Sequence, residues 1–195
     1  MERTENVGKF KELMLRVNRD GMDKLLAFIE KSDFYKAPAS SRFHGSYEGG
    51  LLEHSLNVYD RLREKKAFNP FWCNTLKDID DESIIITALL HDICKTYYYS
   101  IEMRNKKVDG QWIQVPSYTV EDKIPYGHGE KSVMMIEEYI KLKPAERYAI
   151  RWHMGPYSGQ QDWQTLGYAM DKYPLVLALH QADMEATHII EVEGK

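Results

Sequence analysis

Cysteine is scarce in this sequence: Cys73 and Cys94 are the only two in 195 residues. So few would be an unusual disulfide framework for a secreted domain of this size, so both are expected as free thiols in a reducing compartment. No apolar run approaches the roughly 20 residues that cross a bilayer, and the first residues, MERTENVGKFKE, lack the apolar core of a signal peptide. A cytoplasmic protein with no membrane partner is the expectation. Charge of one sign is also lacking, since 26 basic and 30 acidic residues leave a net charge of -4. There is no global attraction to polyanions, although Arg61, Arg63, Lys65 and Lys66 form a small local basic run. Proline and glycine are sparse, at 7 and 12 residues, and repeats, long linkers and low-complexity tracts are missing, which excludes a disordered chain.

What is present is the composition of a globular protein, 43% hydrophobic and 29% charged, at a length that suits one domain over residues 1–195. Met22, Leu25, Leu26 and Ile29 fall at i, i+3, i+4 and i+7 and predict a helix over about 20–31, packed on the main body. After Gly49 and Gly50, the segment LLEHSLNVYDRLREKK keeps helical spacing through Leu52, Leu56, Tyr59 and Leu62, with His54 in its first turns. ESIIITALLHDI, capped by Asp80 or Asp81, is apolar nearly all round and reads as the buried central helix. Tyr97 to Val120 is rich in β-favouring residues around Asp109 and Gly110, which predicts an inserted hairpin. Gly127 to Gly129 open a further helix through about Lys141, and Pro144 starts the next, PAERYAIRWHM. Tyr157 to Gln164 reads as an exposed loop, before a final helix from near Pro174 that contains Asp183. The fold class expected is all-α with a small β-hairpin near 97–120.

Each of the seven histidines alone is better read as a surface or hydrogen-bonded residue than as a ligand. His91 and Asp92 differ, because an unpaired carboxylate at the end of an apolar helix is costly without a cation or good hydrogen bonds. A metal ion is one natural compensator.

GGLLEHS, ALLHDICK, YGHGEKS, RWHMG and LHQADMEA follow one another in the order seen in HD-superfamily phosphohydrolases, which this chain resembles over roughly residues 40 to 190. The dipeptide alone is weak; the ordered set is specific. The resemblance implies a helical fold whose metal ligands are His54, His91, Asp92 and Asp183. His128 and His153 fall where binuclear members place ligands for a second metal, which implies that Asp92 bridges two ions. The stretch RFHGSYEGGLLEHSLNV looks especially like the HD domain of bacterial 3′→5′ exoribonucleases that carry an OB-fold before it. With so short a region upstream, that platform for single strands is not expected here. His153 is followed by Met154 and no GYP triplet occurs, so the cyclic-dinucleotide HD-GYP subfamily is not implied.

Imidazoles and carboxylates without thiolate suit one or two divalent ions, Mn, Fe, Co, Ni or Zn, with Mg also admitted. Cys94, two residues past Asp92, reads as a packed thiol rather than a ligand. The implied reaction is hydrolysis of a phosphate ester by a metal-activated water, with Asp92 and Lys95 as catalytic residues. Lys95 matches the lysine of the family's HDxxK pattern, and its plain alternative is a solvated helix end. Arg42 and His44, with Lys95, are candidates for substrate contact. His180, three residues before Asp183, would share its helical face and is either a partner behind that ligand or a core hydrogen-bonding residue. His188 reads as a surface residue, and Trp152, Met134 and Met135 as packing.

Nucleotides or related small phosphorylated molecules are the expected substrates. The alternatives are a 3′→5′ exonuclease or phosphodiesterase on short nucleic acids, and a non-catalytic module that binds metal or nucleotide. Tyr97, Tyr98, Tyr99, Trp112 and Tyr118 with Lys106 and Lys107 would give an exonuclease stacking and cationic contacts, whereas alternating aromatics also simply stabilise a hairpin. The sequence leaves oligomeric state open.

Overall fold

The computed structural model describes residues 2–108 and 110–192. Its centre is α5 (Asp81–Leu90), whose residues from Ser83 to Leu90 are all buried. Asp80 caps it, its carboxylate accepting the Ser83 N–H at 2.8 Å. Helix α3 (Gly50–Phe68) lies against α5 through Leu52, Leu56, Tyr59 and Leu62, the stripe read from spacing. The remaining helices enclose this pair. Among them α9 (Pro174–Glu185) buries Leu175, Ala178, Leu179 and Ala182 in the same core, and α7 (Pro144–Trp152) buries Ala149 and Ile150.

The helix expected over 20–31 is α2 (Met22–Lys31), with Met22, Leu25 and Ile29 buried. Before it runs α1 (Glu2–Met14), which the sequence reading missed and which buries Phe10, Leu13 and Met14. Phe10 packs on Phe34 and Tyr35 at ring separations of 5.2 and 5.6 Å. Between α1 and α2, Arg19 reaches across to the fully buried Glu146 of α7 with two hydrogen bonds of 2.7 and 2.6 Å. Glu146 also accepts from the Ser83 hydroxyl and the Lys143 N–H, so this one carboxylate ties α5, α7 and the chain before α2 together.

The hairpin is formed by β1 (Tyr99–Val108) and β2 (Gln111–Val120), paired antiparallel from Tyr99 opposite Val120 to Val108 opposite Gln111. Of the predicted turn, Asp109 lies outside the described residues and Gly110 takes the left-handed φ of 84°. A short helix α4 (Pro70–Thr75) precedes α5.

Two expectations are corrected. Helix α6 (His128–Glu137) stops four residues before Lys141: the Glu137 carboxylate accepts the Leu142 N–H and the Arg147 side chain, and the chain turns there so that Ile140 and Leu142 are buried. The segment read as a loop over 157–164 is instead two short turns leading into α8 (Trp163–Lys172), whose Leu166 and Ala169 pack with Trp152 and Val176 in a small separate core. The basic run on α3 is largely paired, Arg61 with Glu64, Lys65 with Glu185 and Lys66 with Asp81. Among the described residues no helix is long and apolar enough to cross a membrane.

Candidate metal centre

Local backbone chemistry aims the histidines. His91 ends α5 and His153 ends α7, and each Nδ1–H donates to the carbonyl three residues back, Ala88 at 2.8 Å and Ile150 at 2.7 Å. These carbonyls are among the orphans of a helix C-terminus, so the rings complete the helices and turn their Nε2 atoms inward. Two glycines set the helix approaches. A Cβ on Gly50 would lie 2.0 Å from the Gly45 carbonyl oxygen, so α3 presses on the preceding loop, with the His44 ring 4.8 Å from that of His54. A Cβ on Gly129 would lie 2.2 Å from the Arg151 carbonyl oxygen, and through this contact α6 brings His128 within 5.3 Å, ring to ring, of His153.

The structure brings His54, His91, Asp92, His128, His153 and Asp183 together, with Asp92 at the hub. Its Oδ2 lies 2.6 Å from Lys95 Nζ, 3.5 Å from His91 Nε2 and 3.9 Å from His54 Nε2. Its Oδ1 faces the other way, 2.6 Å from His128 Nε2 and 3.4 Å from His153 Nε2. On the Oδ2 side, His54 Nε2 is 3.3 Å from both His91 Nε2 and Asp183 Oδ1. Of the six, only His128 has appreciable exposure, 28%.

Electrostatics follow from this crowding. Burial would raise Asp92, but the charges of Lys95, His91 and His128 hold it well below the usual carboxylate range. Burial would likewise raise Asp183, and its hydrogen bond with His54 brings it down. Burial works against a proton on His54, yet the hydrogen bonds to Asp183 and Glu191 outweigh it and carry the ring up to about 10. His91, with only a neutral carbonyl on Nδ1, is pulled by burial to about 3.

The donor set fits a cation. With Nδ1 committed, His91 and His153 present Nε2 to the Asp92 oxygens, and the buried His153 Nε2 has no hydrogen-bond partner among the described residues. Asp92, Asp183 and Glu191 gather three carboxylates around these rings, with Lys95 as the ammonium among them. The triads His54–His91–Asp183 and His91–Asp92–His153 each offer ligand atoms within 4.8 Å of one another, as metal coordination requires.

Around the cluster opens a cavity of about 750 Å³ lined by Arg42, His44, Lys95, Tyr98, Tyr99 and Tyr157, among others. Lys95 is not a solvated helix end: it is buried, and besides Asp92 it donates to the Ala39 carbonyl at 2.6 Å. Arg42 is exposed at the rim and His44 half-buried behind it. The His180 Nδ1–H donates to the His153 carbonyl at 2.7 Å and so steadies the end of α7. Cys94 is buried with its Sγ 3.4 Å from His128 Nδ1, and burial, reinforced by Asp92, pushes its thiol up to about 12, so it packs as a neutral group. His188 is exposed and edges the cavity. The sequence reading missed Glu191, whose carboxylate oxygens both lie 3.1 Å from His54 Nδ1.

Comparison with known proteins adds two findings. The family model described as the HD domain matches residues 51–187. The chain is 39% identical over 69 residues to the dihydroneopterin 2′,3′-cyclic phosphate phosphodiesterase of Methanocaldococcus jannaschii, a match spanning 33% of this chain and 25% of that protein. The similarity thus spans about a quarter of that relative's length. No solved structure gave a significant match.

Proposed function

The chain belongs to the HD-domain family, and on that premise we propose that it is a metal-dependent phosphohydrolase acting on nucleotides or related small phosphate esters. One ion would be held by His54, His91, Asp92 and Asp183, and a second by His128 and His153 across Asp92. The observation that carries this reading is the Asp92 carboxylate, which turns one oxygen to each of two histidine groups. A divalent ion bound there supplies Lewis-acid polarisation of a phosphoryl oxygen and readies water for attack near neutral pH. Mn, Fe, Co, Ni and Zn suit this donor set, and Mg is admitted.

The chain's own residues account for the rest. Lys95 is held by Asp92 and the Ala39 carbonyl with its ammonium facing the cavity, where it offsets negative charge growing on the phosphoryl oxygens. Arg42, exposed at the rim, meets the phosphate as it enters, with His44 also lining the cavity. Water adds to phosphorus, the ester P–O bond breaks, and the leaving oxygen takes up a proton. Tyr98 and Tyr99 wall the cavity against bulk solvent and offer aromatic surface to a base. A volume of about 750 Å³ suits a small molecule. The archaeal relative is named for a cyclic phosphodiester, which supports P–O cleavage as the chemistry.

A second reading, an exonuclease on short nucleic acids, draws on the hairpin: Tyr99 and Val120 line the cavity, and Trp112 stands exposed further along the ribbon. The test incubates the protein with Mn²⁺ and a mixture of nucleotides, cyclic nucleotides and DNA and RNA oligomers, read by mass spectrometry against Asp92→Ala. Asp92-dependent conversion of a monomer is expected, and stepwise shortening of oligomers would replace it with the exonuclease. No turnover with any metal would leave a non-catalytic binding module and sink the proposal.

A further inference from the structure

His54 is placed unlike the other buried histidines of the centre. His91 and His153 end their helices and use orphan carbonyls to hold Nδ1, but His54 lies inside α3, where the Leu51 carbonyl three residues back already accepts the Ser55 hydroxyl. Among the described residues no backbone acceptor fixes its ring. Glu191 takes that place from the far end of the chain. After α9 a wider turn, Ala186–Ile190, ends with the Glu191 N–H donating to the Ala186 carbonyl five residues back at 2.9 Å, and this carries the carboxylate back onto α3. There it lies against His54 Nδ1, accepts the Asn57 side-chain amide at 2.9 Å, and is only 4% exposed. Asn57 is three residues after His54 and thus on the same helical face, so one carboxylate grips ring and helix together. Asp183, before the wide turn, faces Nε2, and Glu191, after it, faces Nδ1.

We infer that Glu191 is the positioning residue of the metal centre: by accepting the Nδ1–H of His54 it fixes the tautomer and orientation that turn the Nε2 lone pair to the ion. The inference rests on the metal-centre reading above. A charged acceptor also makes the imidazole a better donor than a carbonyl does, which gives the His54 ligand the highest basicity of the buried three. Removing a partner of this kind lowers metal affinity by about 10- to 100-fold.

The test is Co²⁺ titration of the metal-free full chain, read from the visible absorption of the bound ion, for wild type, Glu191→Ala, Glu191→Gln and Asp183→Ala. Apo melting is recorded for each, together with the ¹⁵N signature of the His54 tautomer. Glu191→Ala is expected to weaken Co²⁺ by about 10- to 100-fold, to shift the absorption band and to mix the His54 tautomers. Glu191→Gln keeps an acceptor and is expected to hold the Nδ1–H tautomer, with a loss of affinity smaller than that of alanine. Wild-type affinity and a single unchanged tautomer in Glu191→Ala would overturn the inference while leaving the metal centre standing. Equal loss in both Glu191 variants, matched by a lowered apo melting temperature, would reduce Glu191 to a packing role and overturn it as well. Failure of wild type to bind Co²⁺, or binding unaffected by Asp183→Ala, would instead sink the metal-centre reading.

Discussion

Replacing Gly129 by alanine adds one methyl group next to His128 in the chain, and its effect follows from distances alone. The new Cβ would lie 2.2 Å from the Arg151 carbonyl oxygen, about 1.2 Å inside the 3.4 Å at which ordinary contact begins. Both are backbone-anchored positions within helices, so no side chain can swing aside, and α6 must draw back from α7. Overpacking of this kind costs about 1–3 kcal/mol. For a chain of this length that lowers the melting temperature by about 2–12 °C. His128 adjoins Gly129, so the retreat also opens the 2.6 Å contact between His128 and Asp92. A misplacement of about 1 Å in a reacting constellation is worth roughly 100-fold in rate, and that fall in Mn²⁺-dependent hydrolysis is expected. Gly167→Ala is the control: that glycine is exposed on α8 with nothing within 4 Å of its Cβ, so the same change should stabilise by about 0.4–1 kcal/mol. Melts of the chelated proteins and initial rates of the loaded ones read both effects. A Gly129→Ala protein that melts at or above wild type, with full activity, would refute the argument that this close approach builds the site.

Asp80→Ala removes the cap of the central helix and is expected to cost about 0.5–2 kcal/mol at pH 7 in urea melts. Burial alone would raise Asp80, but the hydrogen bonds from Lys143 and Ser83 lower it to about 2 in the folded protein. A depressed carboxylate contributes stability that is present above its unfolded value of 3.8 and lost as pH falls to 2, so the gap between wild type and variant must close over that window. Glu146→Ala strips the buried partner of Arg19 and is expected to cost about 3–5 kcal/mol, seen as an earlier denaturant midpoint; a midpoint equal to wild type would discount the buried network. Mn²⁺ at about 100 times its Kd adds about 2.7 kcal/mol, which raises melting by about 5–11 °C; a chelator should reverse it, and Asp92→Ala should show no rise.

The helical framework was legible wherever one face of a helix had to be buried. Leu52, Leu56, Tyr59 and Leu62 announce α3 by spacing, and the largely apolar run from Ile84 to Leu90 announces a helix covered on all sides. α1 escaped notice because its stripe is thin: Phe10, Leu13 and Met14 are set among charged residues, and tertiary packing rather than propensity holds it. α8 escaped for a similar reason, since Leu166 and Ala169 alone are buried and the rest of the helix meets solvent. The length of α6 was overread because the periodicity of Ile136 and Ile140 continues past the point where Glu137 captures the Leu142 N–H. Spacing records which residues want burial, and a side-chain hydrogen bond that ends a helix leaves no mark in it.

The site divides along the same line. His54, His91, Asp92, His128, His153 and Asp183 stand in ordered motifs, because a ligand set must come from fixed positions on rigid helices. Glu191 stands in EVEGK, where nothing local separates it from a solvated tail. Its meaning comes from a contact 137 residues away, made through a wide turn that shifts the chain after Ala186 off the line of α9. A straight continuation of that helix would advance the chain about 1.5 Å per residue along its axis, carrying a carboxylate eight positions past Asp183 roughly 12 Å further on. The wide turn instead folds both carboxylates around one imidazole. The geometry of the turn, more than the identity of the acid, is therefore what gives His54 its partner: an insertion of one alanine between Ala186 and Glu191 should weaken Co²⁺ as Glu191→Ala does, even though every charged residue is retained. If that insertion binds Co²⁺ as wild type does, the register of the turn is irrelevant and the argument fails.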